Sequence, residues 1–411
     1  MTAIKNFQWL LIGLLSFNFG IVFLDRQAFT FLGTFIQKDL QLTQTQIGDI
    51  AAAFSFAWAI AGLCMGSISD RIGRRKTILV VATLVFSSAS VLSGFAMGFV
   101  ALLAARMLMG IAEGGIMPIT QTLIAAEVAP ERRGLAHGIT QNFGANLLAN
   151  SIGPVLVPAI ALAMGWRNAF FIVAIPGFVM ALLLAWIVRE PHHLDRHPKP
   201  TLSAAMGLLA NRNMLVCCLL SILLVAYLVV LSVFMPFYLE HVRGLDPKSW
   251  GYVIASMGVA SIAVAFIVPG LSDRIGRKPV AVVSSLLGLS VPLGIMWVDG
   301  GVLWHYCLAA AAGAAITGVF PLAMATIPSE VVKPGLTATA LSLTMGSSEI
   351  IGGVFAPSIA GRASDAFGLA APMWIVAGLA AAAGVVALLL RETAPAVLAR
   401  RNQARGLASA A

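Results

Sequence analysis

Runs of about twenty apolar residues, broken by short polar turns, recur from one end of this chain to the other. Roughly 20 apolar residues wound as a helix cross a bilayer. On that rule the pattern predicts twelve spans: 7–33, 47–68, 77–97, 100–126, 134–163, 168–188, 213–239, 249–271, 279–297, 302–326, 336–361 and 368–390. One long polar stretch interrupts them, from Arg189 to Arg212, with Pro191, Pro198 and Pro200. The expected organisation is a six-helix bundle over 1–188, a linker over 189–212, a second six-helix bundle over 213–391 and a tail over 392–411.

The polar turns repeat. Ser69-Asp70-Arg71-Ile72-Gly73-Arg74 returns as Ser272-Asp273-Arg274-Ile275-Gly276-Arg277, 203 residues later, and each copy lies between two apolar runs. Gly115 and Pro118 match Gly318 and Pro321 at the same offset, and Gly134-Leu135 matches Gly335-Leu336 at an offset of 201. The fold expected is an all-α membrane protein of two pseudo-symmetric six-helix bundles. A duplicated half with a charged turn at a fixed place among apolar helices is the plan of a secondary transporter.

Composition agrees. The chain is 59% hydrophobic and only 10% charged, against about 25% charged in soluble domains, so the lipid bilayer is its solvent. The net charge of +9 does not point to nucleic acid, because its positions follow the membrane. With both termini cytoplasmic, most of the 26 Lys and Arg residues fall in inside loops and tails, while Lys38, Arg167, Arg243, Lys248 and Arg362 fall outside. That bias sets the expected topology, a multi-pass protein of a bacterial inner membrane. The first apolar run follows Lys5 but is too long for a signal segment and carries Asp25-Arg26, so it reads as the first membrane helix. Cys64, Cys217, Cys218 and Cys307 all lie in apolar runs and read as small buried hydrophobes, without metal spacing. The His192, His193, His197 group falls in the linker and reads as a solvated loop. The chain has no Walker loop, H-E-x-x-H or G-x-S-x-G. An enzyme or ATP-driven pump is therefore not expected. No cofactor is expected either, and the expected energy source is an ion gradient, of protons.

Gly66-Ser67-Ile68-Ser69-Asp70-Arg71-Ile72-Gly73-Arg74-Arg75 resembles the loop signature of the major facilitator superfamily, and with the second copy and twelve spans the resemblance covers nearly the whole chain. Leu24-Asp25-Arg26, with Arg106, Gly110, Glu113 and Gly114, is similar to the anion:cation symporter branch, and nearly as similar to the spinster-like lipid transporters. Gly165-Trp166-Arg167-Asn168-Ala169-Phe170 and Arg189-Glu190-Pro191 resemble both. The resemblance implies a gating latch at Asp70 and Arg74, and at Asp273 and Arg277. It also implies a monomer. The competing reading of these turns is a topogenic basic loop.

Charges inside a span cost a few kcal/mol or more. Five lie away from span ends: Asp25, Arg26, Arg106, Glu113 and Glu349. The first four have Leu228, Val229, Ala309 and Ile316 as their equivalents 203 residues on. The duplication kept glycines and proline but not these charges, so the first half is expected to handle protons and anionic charge. Arg106 and Glu113 are two turns apart on one helix face. Asp25 and Glu113 are the expected proton-coupling residues, and Arg26 or Arg106 the expected anion contact. A static ion-pair cluster is the competing reading.

Asn142, Asn146 and Asn150 recur every four residues on the fifth span, with Gln141 beside them. That stripe suits a substrate rich in hydroxyls or carboxylates, or else interhelical hydrogen bonding. Glu349 is a second candidate proton or substrate site, or a carboxyl satisfied by its Ser and Thr neighbours. Tyr227, with Tyr252, is a candidate cavity residue against a core role. His305 beside Trp304 reads as part of an interfacial belt.

The function expected is proton-coupled symport of a small organic anion, such as a sugar acid, by alternating access. Alternatives are a spinster-like lysolipid transporter, a proton-driven exporter, or a membrane sensor that has kept the fold without transport.

Overall fold

The structure, a computed structural model, describes residues 2–128, 136, 139–190, 206–298, 302–333 and 336–400, without the side chains of 2–6, 63, 66–72, 125, 141, 142 and 338. Most of the linker expected at 189–212 and the end of the tail lie outside these residues. Among the described residues every regular element is a helix. In chain order they are α1 (Thr2–Leu40), α2 (Gln44–Ile72), α3 (Arg75–Gly94), α4 (Phe99–Ile124), α5 (139–164), α6 (Trp166–Ile187), α7 (Arg212–His241), α8 (Pro247–Ile275), α9 (Arg277–Trp297), α10 (Leu303–Val331), α11 (337–367) and α12 (Ala370–Leu388). Ten of them are long and apolar enough to cross a membrane. The other two, α2 and α11, are helical over the spans expected at 47–68 and, from residue 337, at 336–361.

The repeat read from the turns is built into the backbone. Among the described residues, positive φ occurs at Gln41, Gly73, Gly165, Gly244, Gly276 and Gly368. These form three pairs 203 residues apart: 41 with 244, 73 with 276, and 165 with 368. Each pair ends a helix at the same point of its half, where only a left-handed residue lets the chain reverse so tightly. Gln41 is the one member that is not glycine.

α5 and α11 share a second duplicated feature. Ala145–Ile152 and Ser348–Phe355 are both π-helical, and Pro154 and Pro357 follow them at the same offset of 203. Each proline withholds an N–H from the turn before it, where the wider turn sits.

The chain divides into two compact units. Unit 1 holds Met1–His197, Ser232–Val259 and Pro357–Leu369. Its core is a continuous apolar cluster that includes Leu11, Leu15, Phe54, Phe86, Met109, Leu123 and Leu184. In it α2 lies along α4 and α3 along α6, while α1 lies along α5 and α6. Small residues permit these approaches, as Gly20 and Gly144 do where α1 meets α5. At the end of unit 1 away from the Gly73 turn, Gly251 faces the carbonyl of Pro154 and Gly48 faces that of Pro357. These are again the same pairing in each copy of the repeat. Pro158 offers no N–H to the Pro154 carbonyl, which leaves that oxygen free to face α8.

The α11 segment also caps α2. The Asp365 carboxylate accepts the backbone N–H groups of Gln44 (3.0 Å) and Thr45 (2.8 Å), as an N-cap side chain does. Nearby, Ser358 donates to Asp49 at 2.5 Å and Arg362 lies 3.6 Å from the same carboxylate. Asp365 sits past the end of the span expected at 336–361. Its partial burial works against ionisation, but the hydrogen bonds from Thr45, Gln44 and Thr43 outweigh that and hold the carboxyl below its ordinary value.

Unit 2 holds Pro198–Leu231, Ala260–Ala356 and Ala370–Ala411. In it α9 lies along α12, and Gly352 of α11 lies against Ile222 and Ala226 of α7. Both halves cap their third helix with a glutamate that follows the sixth. Glu190 accepts the N–H of Lys76 at 3.2 Å, and Glu392 accepts those of Arg277 and Lys278 at 2.8 and 3.3 Å.

Candidate functional site

Four charges meet in the helix core of unit 1. α1 supplies Asp25 and Arg26, and α4 supplies Arg106 and Glu113. Asp25, Arg106 and Glu113 are buried, at 0%, 2% and 2% exposure, and Arg26 is half-buried. The close fit of α4 on α2 makes this possible. A methyl group at Gly110 would sit 2.5 Å from the Phe54 carbonyl oxygen, and one at Gly114 would collide with that of Trp58. With hydrogen at both positions the helices touch backbone to backbone, which sets Phe54 and Trp58 beside the charges.

Phe54 is the shared platform. The Arg26 guanidinium lies 4.7 Å from its ring centre and that of Arg106 lies 5.0 Å away. Phe23 and Trp58 also face Arg26, at 5.6 and 5.8 Å, and Phe29 faces Arg106 at 5.3 Å. Aromatic faces stabilise a desolvated cation by about 0.5–2 kcal/mol each. They do this without neutralising it, so each arginine remains available to an anion.

The hydrogen bonds separate the two arginines. Arg106 Nη2 donates to the Arg26 carbonyl at 2.8 Å, and its Nη1 points to the Met109 sulfur at 2.9 Å. Arg106 is thus tied to the backbone of α1, whereas Arg26 keeps the more open guanidinium. Ser90 of α3 donates to Asp25 Oδ1. Asp25 Oδ2, Glu113 Oε1 and Arg106 Nε are buried without a hydrogen-bond partner among the described residues. The charges still act on one another, since Arg106 is attracted to Glu113 and Asp25 and repelled by Arg26. Two buried carboxyls with an open oxygen each can take up protons. Two aromatic-backed guanidiniums can hold a carboxylate.

The other predicted residues lie elsewhere. Asn146 and Asn150 are half-buried on the π segment of α5, and Asn150 Nδ2 donates to Asn146 Oδ1 at 3.0 Å. The side chains of Gln141, Asn142 and Asp70 lie outside the described residues. Glu349 is half-buried on the matching π segment of α11, 203 residues after Asn146. Tyr227 is fully buried in unit 2 and its hydroxyl donates to the Gly288 carbonyl at 2.8 Å, while Tyr252 is half exposed. His305 is stacked on Trp304, with ring centres 3.7 Å apart.

Of the turn residues, Arg74 is exposed just before α3. Arg277 is buried, paired to Asp273 at 2.5 Å and to Glu330 at 2.9 Å, and its Nη1 donates to Ser272 at 2.6 Å. The charge of Arg277 is therefore met inside unit 2.

Sequence reasoning missed Ser90, Phe54, Trp58, Phe23 and Phe29. A signal existed for four of them. Phe23 and Phe29 stand three residues on either side of Arg26, on its helix face, and Phe54 and Trp58 are four residues apart. Ser90 carries no such signal, because five other hydroxyl residues share its helix.

Comparison with known proteins gives a consistent result. The family model described as Major Facilitator Superfamily matches residues 15–349. The chain is similar to a probable sulfoacetate transporter, SauU, of Cupriavidus necator, with 30% identity over 192 residues, 47% of this chain and 44% of that protein. It is similar to the hexuronate transporter of Bacillus subtilis, with 34% identity over 201 residues, 49% and 46% of the two chains. These two matches span about half the length of the relatives. A probable 4-methylmuconolactone transporter of Cupriavidus pinatubonensis matches more widely, with 28% identity over 80% of this chain and 77% of that one. Among solved structures, a bacterial homologue of the human lysosomal transporter Spinster has a TM-score of 0.72 at 20% identity, covering 94% of this chain and 95% of that one. A D-xylose-proton symporter has a TM-score of 0.73 at 18% identity, covering 93% and 97%. At these identities the structural likeness speaks for the fold. A family model that spans most of the chain, a duplicated all-helical architecture and many apolar spans agree, and the chain belongs to the major facilitator superfamily.

Proposed function

We propose that this protein is a proton-coupled symporter of a small organic anion, working by alternating access in a bacterial inner membrane with both termini cytoplasmic. The observation that carries the reading is the group of buried Asp25, Arg106 and Glu113 with half-buried Arg26 in the first half, where the repeat has four apolar residues. Placing charge at these four core positions costs several kcal/mol, and the apolar residues at their equivalents in the second half fit the fold without it, which supports a chemical role for them. The relatives support the substrate class, since sulfoacetate and hexuronate are small organic anions.

In this reading Asp25 and Glu113 carry protons, and Arg26 receives the substrate carboxylate with Arg106 behind it. Asn146, Asn150, Gln141, Asn142 and Glu349 are assigned to substrate contacts, whereas Tyr227, fully buried with its hydroxyl bonded to the Gly288 carbonyl, takes the core role instead. The halves 1–188 and 213–391 rock about the site as a monomer, driven by the proton gradient, and Asp70, Arg74, Asp273 and Arg277 gate the cytoplasmic side.

The test is external pH in weakly buffered liposomes that hold purified protein, on addition of sugar acids, sulfonates, monocarboxylates or lysolipids. Alkalinisation on adding one acid, abolished in Asp25→Asn and in Glu113→Gln, is the expected result. Arg26→Ala should raise the substrate KM about 10–100-fold, as loss of a charge-assisted hydrogen bond does. Uphill uptake preserved in both carboxyl variants would overturn the proton assignment. Lysolipid movement with silence for every acid would give the spinster-like function instead.

A further inference from the structure

Ser90 stands apart from the other hydroxyls on its helix. Thr83, Ser87, Ser88 and Ser93 each donate to the carbonyl four residues back in α3. That local bond is the default for serine and threonine in an apolar helix, where nothing better is in reach. Ser90 is fully buried, yet its hydroxyl turns away from the Phe86 carbonyl and donates across to Asp25 Oδ1 on α1. A carboxylate is a stronger acceptor than a carbonyl, and Asp25 has its other oxygen buried without a partner among the described residues. The repeat sharpens the point: 203 residues on, Asp25 and Ser90 are both leucines, Leu228 and Leu293.

We propose that Ser90 is the positioning residue for the proton on Asp25, a two-state partner that donates to the carboxylate and turns to accept from the carboxylic acid. The proposal rests on the proton-symport reading above. A hydroxyl both donates and accepts. When the carboxyl is protonated on Oδ1, the oxygen that faces Ser90, its O–H donates to the Ser90 oxygen, and the Ser90 hydroxyl turns to bond the Phe86 carbonyl, as its four neighbours bond theirs. The buried carboxyl then keeps a partner in each state.

The charged groups facing Asp25 are Arg106 and Glu113 of α4, with Arg26 beside it on α1. The described part of α5 has no ionisable residue, and α6 has only Arg167, paired to Asp39 at its far end. On the α7 and α8 segments within unit 1, Glu240 is bound to the Trp250 indole, and His241 stacks on Phe237. Ser90 is therefore the neutral contact through which Asp25 is tuned.

The test measures proton-driven uptake of the substrate acid against pH in liposomes. Ser90→Ala should move the half-maximal pH by about one unit toward alkaline, because the ionised carboxyl loses its donor. Ser87→Ala, which removes a neighbouring buried hydroxyl, should leave the profile in place. Ser90→Thr and Ser90→Val have nearly the same shape and differ by a hydroxyl, so the first should keep the wild-type profile and the second should shift it, even where Ser90→Ala does not fold. Asp25→Asn separates the two readings. If Asp25→Asn still accumulates substrate on a proton gradient, the proton assignment fails and this inference with it. If Asp25→Asn abolishes accumulation while Ser90→Val keeps the wild-type profile, the role of Ser90 alone is overturned.

Discussion

The first half of the chain holds Asp25, Arg26, Arg106 and Glu113 among its helices, all but Arg26 fully buried; the second half has Leu228, Val229, Ala309 and Ile316 at the same places. The backbone around them is otherwise copied closely. Positive-φ residues fall in three pairs, π segments and prolines recur at one offset, and a glutamate caps the third helix of each half. Geometry has been kept in both halves, and the charges at these four places in one. The fold thus does not need charge at these four places, which fits the proton and anion roles proposed for them. The second half shows what the fold alone asks for there, an aliphatic filling, with Tyr227 tied to a backbone carbonyl one residue from the position of Asp25.

The comparison breaks most readily at the glycines that seat α4. Gly110 and Gly313 are repeat partners, but a methyl at Gly110 meets the Phe54 carbonyl and the Trp58 backbone, whereas one at Gly313 meets first the Val291 side chain. Backbone cannot step aside and a side chain can in part. Gly110→Ala is therefore expected at the upper end of the ~1–3 kcal/mol range for overpacking, with uptake lost, and Gly313→Ala at the lower end. Thermal unfolding in detergent and liposome uptake check both. Equal damage from the two would mean that the α2–α4 contact is not specially demanding.

A smaller effect tests the backbone repeat. Gln41 adopts a φ of 52° where its partner is Gly244 at 68°. A left-handed conformation costs a non-glycine residue about 1–2 kcal/mol, in part returned by the Gln41 Nε2 bond to the Lys38 carbonyl at 2.6 Å. Gln41→Gly should stabilise the protein by up to about 1 kcal/mol, and Gly244→Gln should destabilise it by a similar amount. A lower melting temperature for Gln41→Gly would contradict the strain.

The smallest effect is a matter of pH. The Asp365 cap on α2 and the Asp25–Glu113 group both use carboxyls, yet they should answer differently. Asp365 is held below its ordinary value, so its cap is complete above the ordinary carboxylate range, near pH 4. It is lost only as pH falls through the lowered value. Between pH 5 and 8 the cap does not titrate, and Asp365→Asn should leave the midpoint of the uptake profile unmoved even if the rate changes. A midpoint displaced by that variant would place a second proton-sensitive element at the α2–α11 contact.

Much of this was legible in the sequence. Hydropathy located the spans because lipid demands a continuous apolar helix whatever the packing. The charged residues of the site were found for the same reason, as buried charge in a span is rare enough to stand out. The aromatic platform was harder to see, because phenylalanine in an apolar run carries no contrast. Phe54 becomes a site residue only once Gly110 and Gly114 bring α2 onto α4. The unequal roles of the two arginines were equally hidden. Nothing in their spacing says that Arg106 is bonded to the Arg26 carbonyl while the Arg26 guanidinium lies among three rings.

The sequence by itself determined a helical membrane protein made of two related halves, with four in-span charges in the first that the second lacks at the same places. Composition, period and repeat are properties of the chain read in order, and the bilayer leaves few folds to choose from. Tertiary structure decided which atoms meet: that Ser90 rather than Ser87 or Ser93 reaches Asp25, that two cations share one ring, and that Asp365 caps a helix more than 300 residues before it. Such contacts depend on the rotation and close approach of separate helices. Those follow from many small packing terms spread along the chain, and no local stretch of sequence holds them.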